Sequence, residues 1–205
     1  SETLPKRKPG SLFQLQMDGV ILTTDIMDTL AFSQLDIAPT IAAILGLELP
    51  QSDGKAIEAV TDWGCNKAAL IIVDSLGYDL LLHLLKDMPN MNQLSRYGLL
   101  LQARSVSNRT TPAIASILSG LLPEHHQILD KAGAKESSIL SLPEIAASAG
   151  EACAVIMEQN GADVYQGLVE SVHGISDSLP PEQFDEEACR LTCQALLDRP
   201  SLLVS

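Results

Sequence analysis

Aromatic side chains are scarce, with three Phe, three Tyr and one Trp in 205 residues. That removes the stacking platforms on which single-stranded nucleic acids and sugars are usually held. Positive charge is scarce too: 13 Lys and Arg stand against 26 Asp and Glu, a formal net charge of -13. No cationic stripe is left for a nucleic-acid backbone to dock on, so a nucleic-acid partner is not expected. The one basic cluster, Lys6, Arg7 and Lys8, sits beside Pro5 and Pro9 and reads as a solvated tail. No apolar run approaches the roughly 18 residues that span a bilayer, and the first twenty residues lack the charged-then-apolar order of a signal peptide. The expectation is a cytoplasmic protein with no membrane partner. The four cysteines, Cys65, Cys153, Cys189 and Cys193, are too few and too scattered for a disulfide framework. Cys189 and Cys193 lie four apart on one helix face without metal-type neighbours, and buried thiols are expected.

The chain does have aliphatic bulk: 46% of its residues are hydrophobic, enough Leu, Ile, Ala and Val for a sizeable core. Residues 1–12 predict a disordered tail, and 13–205 a single α/β domain. "GVILTTDIMDTLAF" offers a short strand and a helical turn. "LDIAPTIAAILGLELP" predicts a helix that starts near Asp36 or Pro39, faces inward with Ile41, Ile44 and Leu45, and stops at Gly46. Residues 55–67 read as a polar connector. The continuous apolar run Ala68 to Val73 predicts a buried parallel strand, followed by Asp74, a Gly-containing turn and a helix. Further helices are predicted over Pro89 to Gly98, over Thr111 to Leu118, up to Gly150, and over "PEQFDEEACRLTCQALLDRP". Further strands are predicted in "LLLQARSVS", "ACAVIME", "GLVESVH" and "SLLVS". Strand and helix alternate, which predicts a mostly parallel sheet covered by helices on both faces.

Open parallel sheets bind ligands beyond the carboxyl ends of their strands. Asp74, the first polar residue after an apolar run, stands at that edge, where it either projects into the crevice or caps the next helix. Thr110 and Thr111 stand at the corresponding edge of the next unit. With Pro112 suited to the first helical position, one of them is the expected cap, and the first-turn amides favour an anion. A threonine hydroxyl becomes a competent nucleophile beside a divalent cation held by a carboxylate. Asp74 and Thr110 form such a pair.

The run from Ala68 to Ile128 resembles the alkaline phosphatase superfamily, in particular its phosphodiesterase, nucleotide pyrophosphatase and phosphoglycerate-mutase-like branches. The likeness rests on "LIIVDSLGYD", on Pro89, Leu94 and Gly98, on Thr110, Pro112 and Ala113, and on Ser119, Gly120, Pro123, His126 and Ile128 at the family's spacing. It implies an alkaline-phosphatase-like α/β fold and a metal-dependent hydrolase or transferase acting on a small phosphorylated or sulfated substrate. In that reading Thr110 is the nucleophile. Asp74 and Thr110 hold a divalent metal, zinc or manganese or magnesium; from their location alone, Asn108 and Thr111 are expected to face the phosphate. His126 matches a loop-shaping position of the family, and His173 is an isolated ligand candidate. His83 lies in a leucine-rich helix, and His125 is adjacent to His126.

A second patch, "LDIAPTIAAILGLELPQSDG" within residues 13–54, resembles a part of the superfamily that lies near the C-terminal end of its core, whereas residues 68–205 resemble the N-terminal part. Placed ahead of the nucleophile, it has the order expected of a circular permutation or of rejoined segments. The family's Asp-x-x-x-His element, Asp-His pair and later His have no counterpart here, Gln127 replaces a usual glycine, and the chain stops at "RPSLLVS" where the family runs on into ligands. Three readings follow. One is a metal-dependent phosphate-ester hydrolase, incomplete in this chain and of little or no turnover alone. The second is a non-catalytic anion-binding or regulatory domain. The third is one half of an assembly completed by a second copy or a second chain.

Overall fold

A computed structural model describes residues 32–205, so the predicted tail and most of the "GVILTTDIMDTLAF" segment lie outside the described residues. In chain order the elements are strand β1 (Phe32–Ser33), a 3-10 turn (Gln34–Asp36), helices α1 (Ile37–Leu45) and α2 (Glu58–Thr61), strand β2 (Ala68–Leu70), helices α3 (Tyr78–Leu84) and α4 (Pro89–Tyr97), and strand β3 (Ala103–Arg104). Helices α5 (Thr110–Ser119), α6 (Pro123–His126), α7 (Lys131–Glu136) and α8 (Leu142–Ser148) follow. Strand β4 (Cys153–Glu158), helix α9 (Gln159–Tyr165), strand β5 (Ser171–Ile175), helix α10 (Pro181–Leu197) and strand β6 (Leu202–Val204) complete the chain. The described residues divide into two compact units. Residues 77–101 form one, with α3 and α4 joined by a 3-10 turn at Leu85–Asp87 and with His83 exposed on α3. The other, 32–76 with 102–205, holds every strand.

The larger unit is α/β, and every strand pair in it is parallel. Its main sheet has the order β2-β6-β4-β5, with Ala154 beside Ser171 and Leu203 beside both Ala69 and Ala154. β1 and β3 form a separate pair of two residues each. The period-two alternation of side chains divides the core between two faces. Cys153, Val155, Leu202 and Val204 pack with Ile41, Ile117, Leu118, Leu142 and Ala146, which come from α1, α5 and α8. Ala154, Ile156 and Leu203 point the other way, onto Ala195, Phe184, Ala188 and Leu191 of α10. These interior strands read as unbroken apolar runs because both of their faces are covered.

β2 is the exception. The strand closes at Leu70, and Ala68, Leu70 and Ile72 pack on the first face. Ala69 is exposed, and so are Ile71 and Val73, by 57% and 59%. The run Ala68–Val73 is therefore an edge strand buried on one face, because among the described residues the helix on the opposite face, α10, stands over β4 and β5. Two other sequence expectations shift. The "LLLQARSVS" strand shrinks to Ala103–Arg104, and "GLVESVH" yields a strand only from Ser171 onward, because Gly167 takes a left-handed turn at φ 79°. Cys189 and Cys193 lie exposed on α10 and only Cys153 is fully buried, so two of the four expected buried thiols are at the surface. The charged first half of α10 and its position over one sheet face leave the side that carries them in solvent.

The account of the core predicts that Leu203→Ala, at a position with no exposed area, destabilises the fold by about 2–5 kcal/mol in urea unfolding. Leu197→Ala, at a position 81% exposed, is expected to stay within about 0.5 kcal/mol of the parent. Equal costs at the two positions would contradict this division of the sheet.

Candidate functional site

Asp74 lies just past the last rung of the β2 ladder, which the Ile72 N–H bond to the Ser205 carbonyl (2.7 Å) carries beyond Leu70. The next residue, Ser75, is left-handed at φ 61°, a conformation that costs a side-chain-bearing residue about 1 kcal/mol or more. The turn brings the Ser75 N–H to 2.9 Å from Asp74 Oδ1. That bond leaves Oδ2 as the other acceptor of the carboxylate. Asp74 caps no helix, since the N-cap of α3 is Gly77.

Thr110 opens α5. The N-cap is Arg109, without a side-chain cap bond, and Pro112 is the third helical residue, not the first. The sequence expectation of a threonine cap is thus corrected by one residue. The ring tolerates the third position because the N–H it lacks would have had no intrahelical partner. The first helical bond runs from the Ala113 N–H to the Arg109 carbonyl (3.1 Å), which leaves the Thr110 and Thr111 N–H groups outside the helical ladder. Instead of capping, the Thr110 hydroxyl donates to Asp74 Oδ2 at 3.3 Å, across 36 residues of sequence. Both residues are exposed. A hydroxyl and a carboxylate oxygen therefore meet beside free helix-start amides; the amides favour an anion, whereas the carboxylate favours a cation. Asn108 and Thr111 flank it in sequence, the first exposed and the second half-buried.

The position of α5 is set by residues 33–57. Gln34 Oε1 accepts from the Val106 N–H (3.3 Å) and the Ser105 hydroxyl (3.2 Å), tethering the loop that leads into Thr110. At the far end α5 stops at Gly120, φ 73°, whose carbonyl accepts from the N–H groups of Asp53 (2.9 Å) and Gly54 (3.3 Å). The approach is close. A Cβ on Gly54 would lie 2.1 Å from the Leu35 carbonyl oxygen, and one on Gly120 would lie 2.6 Å from Ser52 Oγ. Asp53 Oδ2 then takes the Leu122 N–H (2.8 Å) and His125 Nδ1 (2.7 Å). The Leu122 amide bond foremost, and His125 after it, hold the Asp53 carboxyl below its ordinary range.

His126 is buried with both ring nitrogens engaged: Nδ1 accepts the Ile128 N–H (2.9 Å), and Nε2 lies 3.0 Å from Ser116 Oγ. The main-chain donor fixes Nδ1 as the unprotonated nitrogen. His126 pins the turn after α5 to the middle of α5, and next to it Gln127 is left-handed at φ 57°, which gives the usual glycine there a conformational reason. His173 lies on β5, exposed, with Nε2 3.1 Å from Ser171 Oγ. It hydrogen-bonds to neither Asp74 nor Thr110.

Two acidic residues not singled out in the sequence share the carboxyl edge of the sheet. Glu158 ends β4, and its carboxylate accepts the N–H groups of Asn160 and Gly161. Asp177 follows β5, and Lys131 bridges the two at 3.1 and 3.5 Å. Hydrogen bonding to Glu158 foremost, then Lys131, lowers the Asp177 pKa, and Glu158 in turn raises that of Lys131. "VIME" carries the signal that marked Asp74, a polar residue closing an apolar run. Here, however, the carboxylates are taken up by Lys131 and by the start of α9.

Asp74 Oδ2 and Thr110 Oγ1 are two oxygen donors that could share a cation. Among the described residues no three or more His, Cys, Asp or Glu gather around a common point, whereas zinc sites use three or four protein ligands. The described residues fall short of a zinc site. Among them no helix is long and apolar enough to cross a membrane.

Burial lowers the His126 pKa below its usual 6.5, and the Pro112 carbonyl offsets this only in part. The folded state thus resists a proton that the unfolded chain accepts. The His126 contribution is complete above about pH 6.5 and is lost as pH falls below it toward the folded pKa. Urea midpoints measured from about pH 7 to about pH 5 are expected to fall, and to fall less steeply in His126→Asn. Parallel profiles would contradict the neutral, buried assignment.

No curated protein and no solved structure matches this chain. Residues 68–133, the stretch that holds both members of the pair, fit the family model of type I phosphodiesterase / nucleotide pyrophosphatase, a family of the alkaline phosphatase superfamily.

Proposed function

We propose that the Asp74–Thr110 pair is a phosphoryl-transfer centre and that the chain is a hydrolase of small phosphate or sulfate esters with Thr110 as its nucleophile. The observation that carries this reading is the hydroxyl of Thr110 directed at Asp74 Oδ2, at 3.3 Å, where a helix-capping threonine would direct it at its own helix. Thr110 Oγ1 would attack phosphorus while its proton passes to Asp74, the bond to the leaving oxygen would break in line, and a phosphorylated Thr110 would remain for water to hydrolyse. The Thr110 and Thr111 amides, with Asn108 beside them, are placed to hold the non-bridging oxygens. The likeness to type I phosphodiesterases implies a divalent metal, which would supply Lewis-acid stabilisation of the developing charge. Asp74 and Thr110 are the donors this chain would contribute, and the remaining ligands would come from outside the described residues or from a second chain.

The test is burst kinetics with p-nitrophenyl phosphate and bis(p-nitrophenyl) phosphate in the presence of zinc or manganese. The parent protein is expected to release up to about one equivalent of nitrophenol per chain. Thr110→Val and Asp74→Asn are each expected to slow that release by about a hundredfold or more. Elemental analysis is expected to show metal in the parent and its loss in Asp74→Asn. Release unchanged by Thr110→Val would remove the nucleophile assignment. A parent that binds phosphate but releases nothing would favour the non-catalytic anion-binding reading.

A further inference from the structure

Helix α10 presents two cysteines that the proposed chemistry does not use. Cys189 and Cys193 are four residues apart on α10, and both are exposed. Arg190, the cation beside them, is taken up elsewhere: its guanidinium donates to Glu187 at 2.7 and 2.6 Å and to Gln194 at 3.3 Å. Glu182, Asp185 and Glu186 add uncompensated negative charge to the same helix, within a chain of net charge -13. The local field around the two sulfurs favours a cation.

Geometry selects what the thiols can do. Residues at i and i+4 of an α-helix hold their Cβ atoms about 5–6 Å apart. A disulfide needs Cβ atoms about 3.5–4.5 Å apart, so closing one here would distort the helix. A single bridging atom removes the mismatch: two metal–sulfur bonds of about 2.3 Å, the zinc–thiolate length, let the sulfurs sit up to about 4.6 Å apart. Two thiolates without nitrogen or oxygen partners suit a soft ion of low coordination number, of which Cu(I) is the biological example. No third His, Cys, Asp or Glu joins the pair among the described residues, which leaves no ligand set for a four-coordinate ion.

We propose that Cys189 and Cys193 form a two-coordinate dithiolate site for one soft monovalent cation of the Cu(I) type. Each thiol releases its proton to solvent on binding, the two sulfurs bond the ion, and no electron is transferred. The site is independent of the Asp74–Thr110 pair and stands whether or not that pair is catalytic.

The experiment is an anaerobic titration of the reduced protein with Cu(I) against bathocuproine disulfonate. One equivalent is expected to transfer to the parent protein. Cys189→Ser and Cys193→Ser are each expected to weaken retention by at least about a hundredfold, since loss of one thiolate halves the ligand set. Cys153→Ser and Cys65→Ser, with circular dichroism confirming their fold, are expected to leave retention unchanged. In parallel, mild oxidation without copper is expected to leave Cys189 and Cys193 unlinked within the chain. No transfer to the parent, retention by either α10 single variant, or rapid formation of a Cys189–Cys193 disulfide would overturn the proposal.

Discussion

Helix α5 is gripped at both ends by one stretch of chain, and the placement of the candidate site depends on that grip. Gln34 ties down the loop before Thr110, and Ser52, Asp53 and Gly54 close on the Gly120 carbonyl at the other end. The bonds that Asp53 makes to Leu122 and His125 span 69 and 72 residues, so no local preference produces them. They form because α1 is folded onto the sheet through Ile41 and Ala42, which brings residues 52–54 to the end of α5. Asp36 and Thr40 stiffen the stretch internally, Asp36 taking the N–H groups of Ser33 (2.8 Å) and Lys55 (2.9 Å) and Thr40 Oγ1 that of Ile57 (2.9 Å). The close approach at Gly54 leaves no room for a side chain, and the grip therefore has a fixed geometry.

With α5 fixed, the site follows from the end of β2. The strand delivers Asp74 to the carboxyl edge of a parallel sheet, where strand ends and helix starts converge. The left-handed Ser75 turns one carboxylate oxygen back onto the main chain and leaves the other for Thr110. His126 adds a second brace by pinning the turn after α5 to Ser116. Strain at Ser75, burial of a histidine and two close glycine contacts all act on the same helix and strand end. Rigid support of this kind is what a reacting hydroxyl requires, because small displacements of a nucleophile cost rate steeply.

Much of this was legible in the sequence. The Gly46 stop of α1, the apolar run of β4, the acid-led helix α10 and the strand at Leu202–Val204 follow from local pattern and were placed to within a residue or two. Asp74 and Thr110 were legible as a pair from their positions at successive strand ends and from the spacing shared with a known superfamily. Other features were not. Burial of Ala68–Val73 on a second face depends on how far a helix 110 residues downstream extends, and it does not reach β2. The exposure of Cys189 and Cys193 has the same origin, since an i, i+4 spacing fixes a helix face without saying which way it turns. The docking of Gln34 and of residues 52–54 on the two ends of α5 rests on long-range hydrogen bonds that leave no pattern in sequence.

The most direct measurement locates a phosphoryl group. After brief incubation with p-nitrophenyl phosphate and zinc or manganese, an acid quench and peptide mapping by mass spectrometry, the account predicts a phosphorylated threonine at Thr110, absent from Thr110→Val and depleted in Asp74→Asn. Phosphoryl label on Thr111 or elsewhere, or none on a protein shown to release nitrophenol, would contradict it.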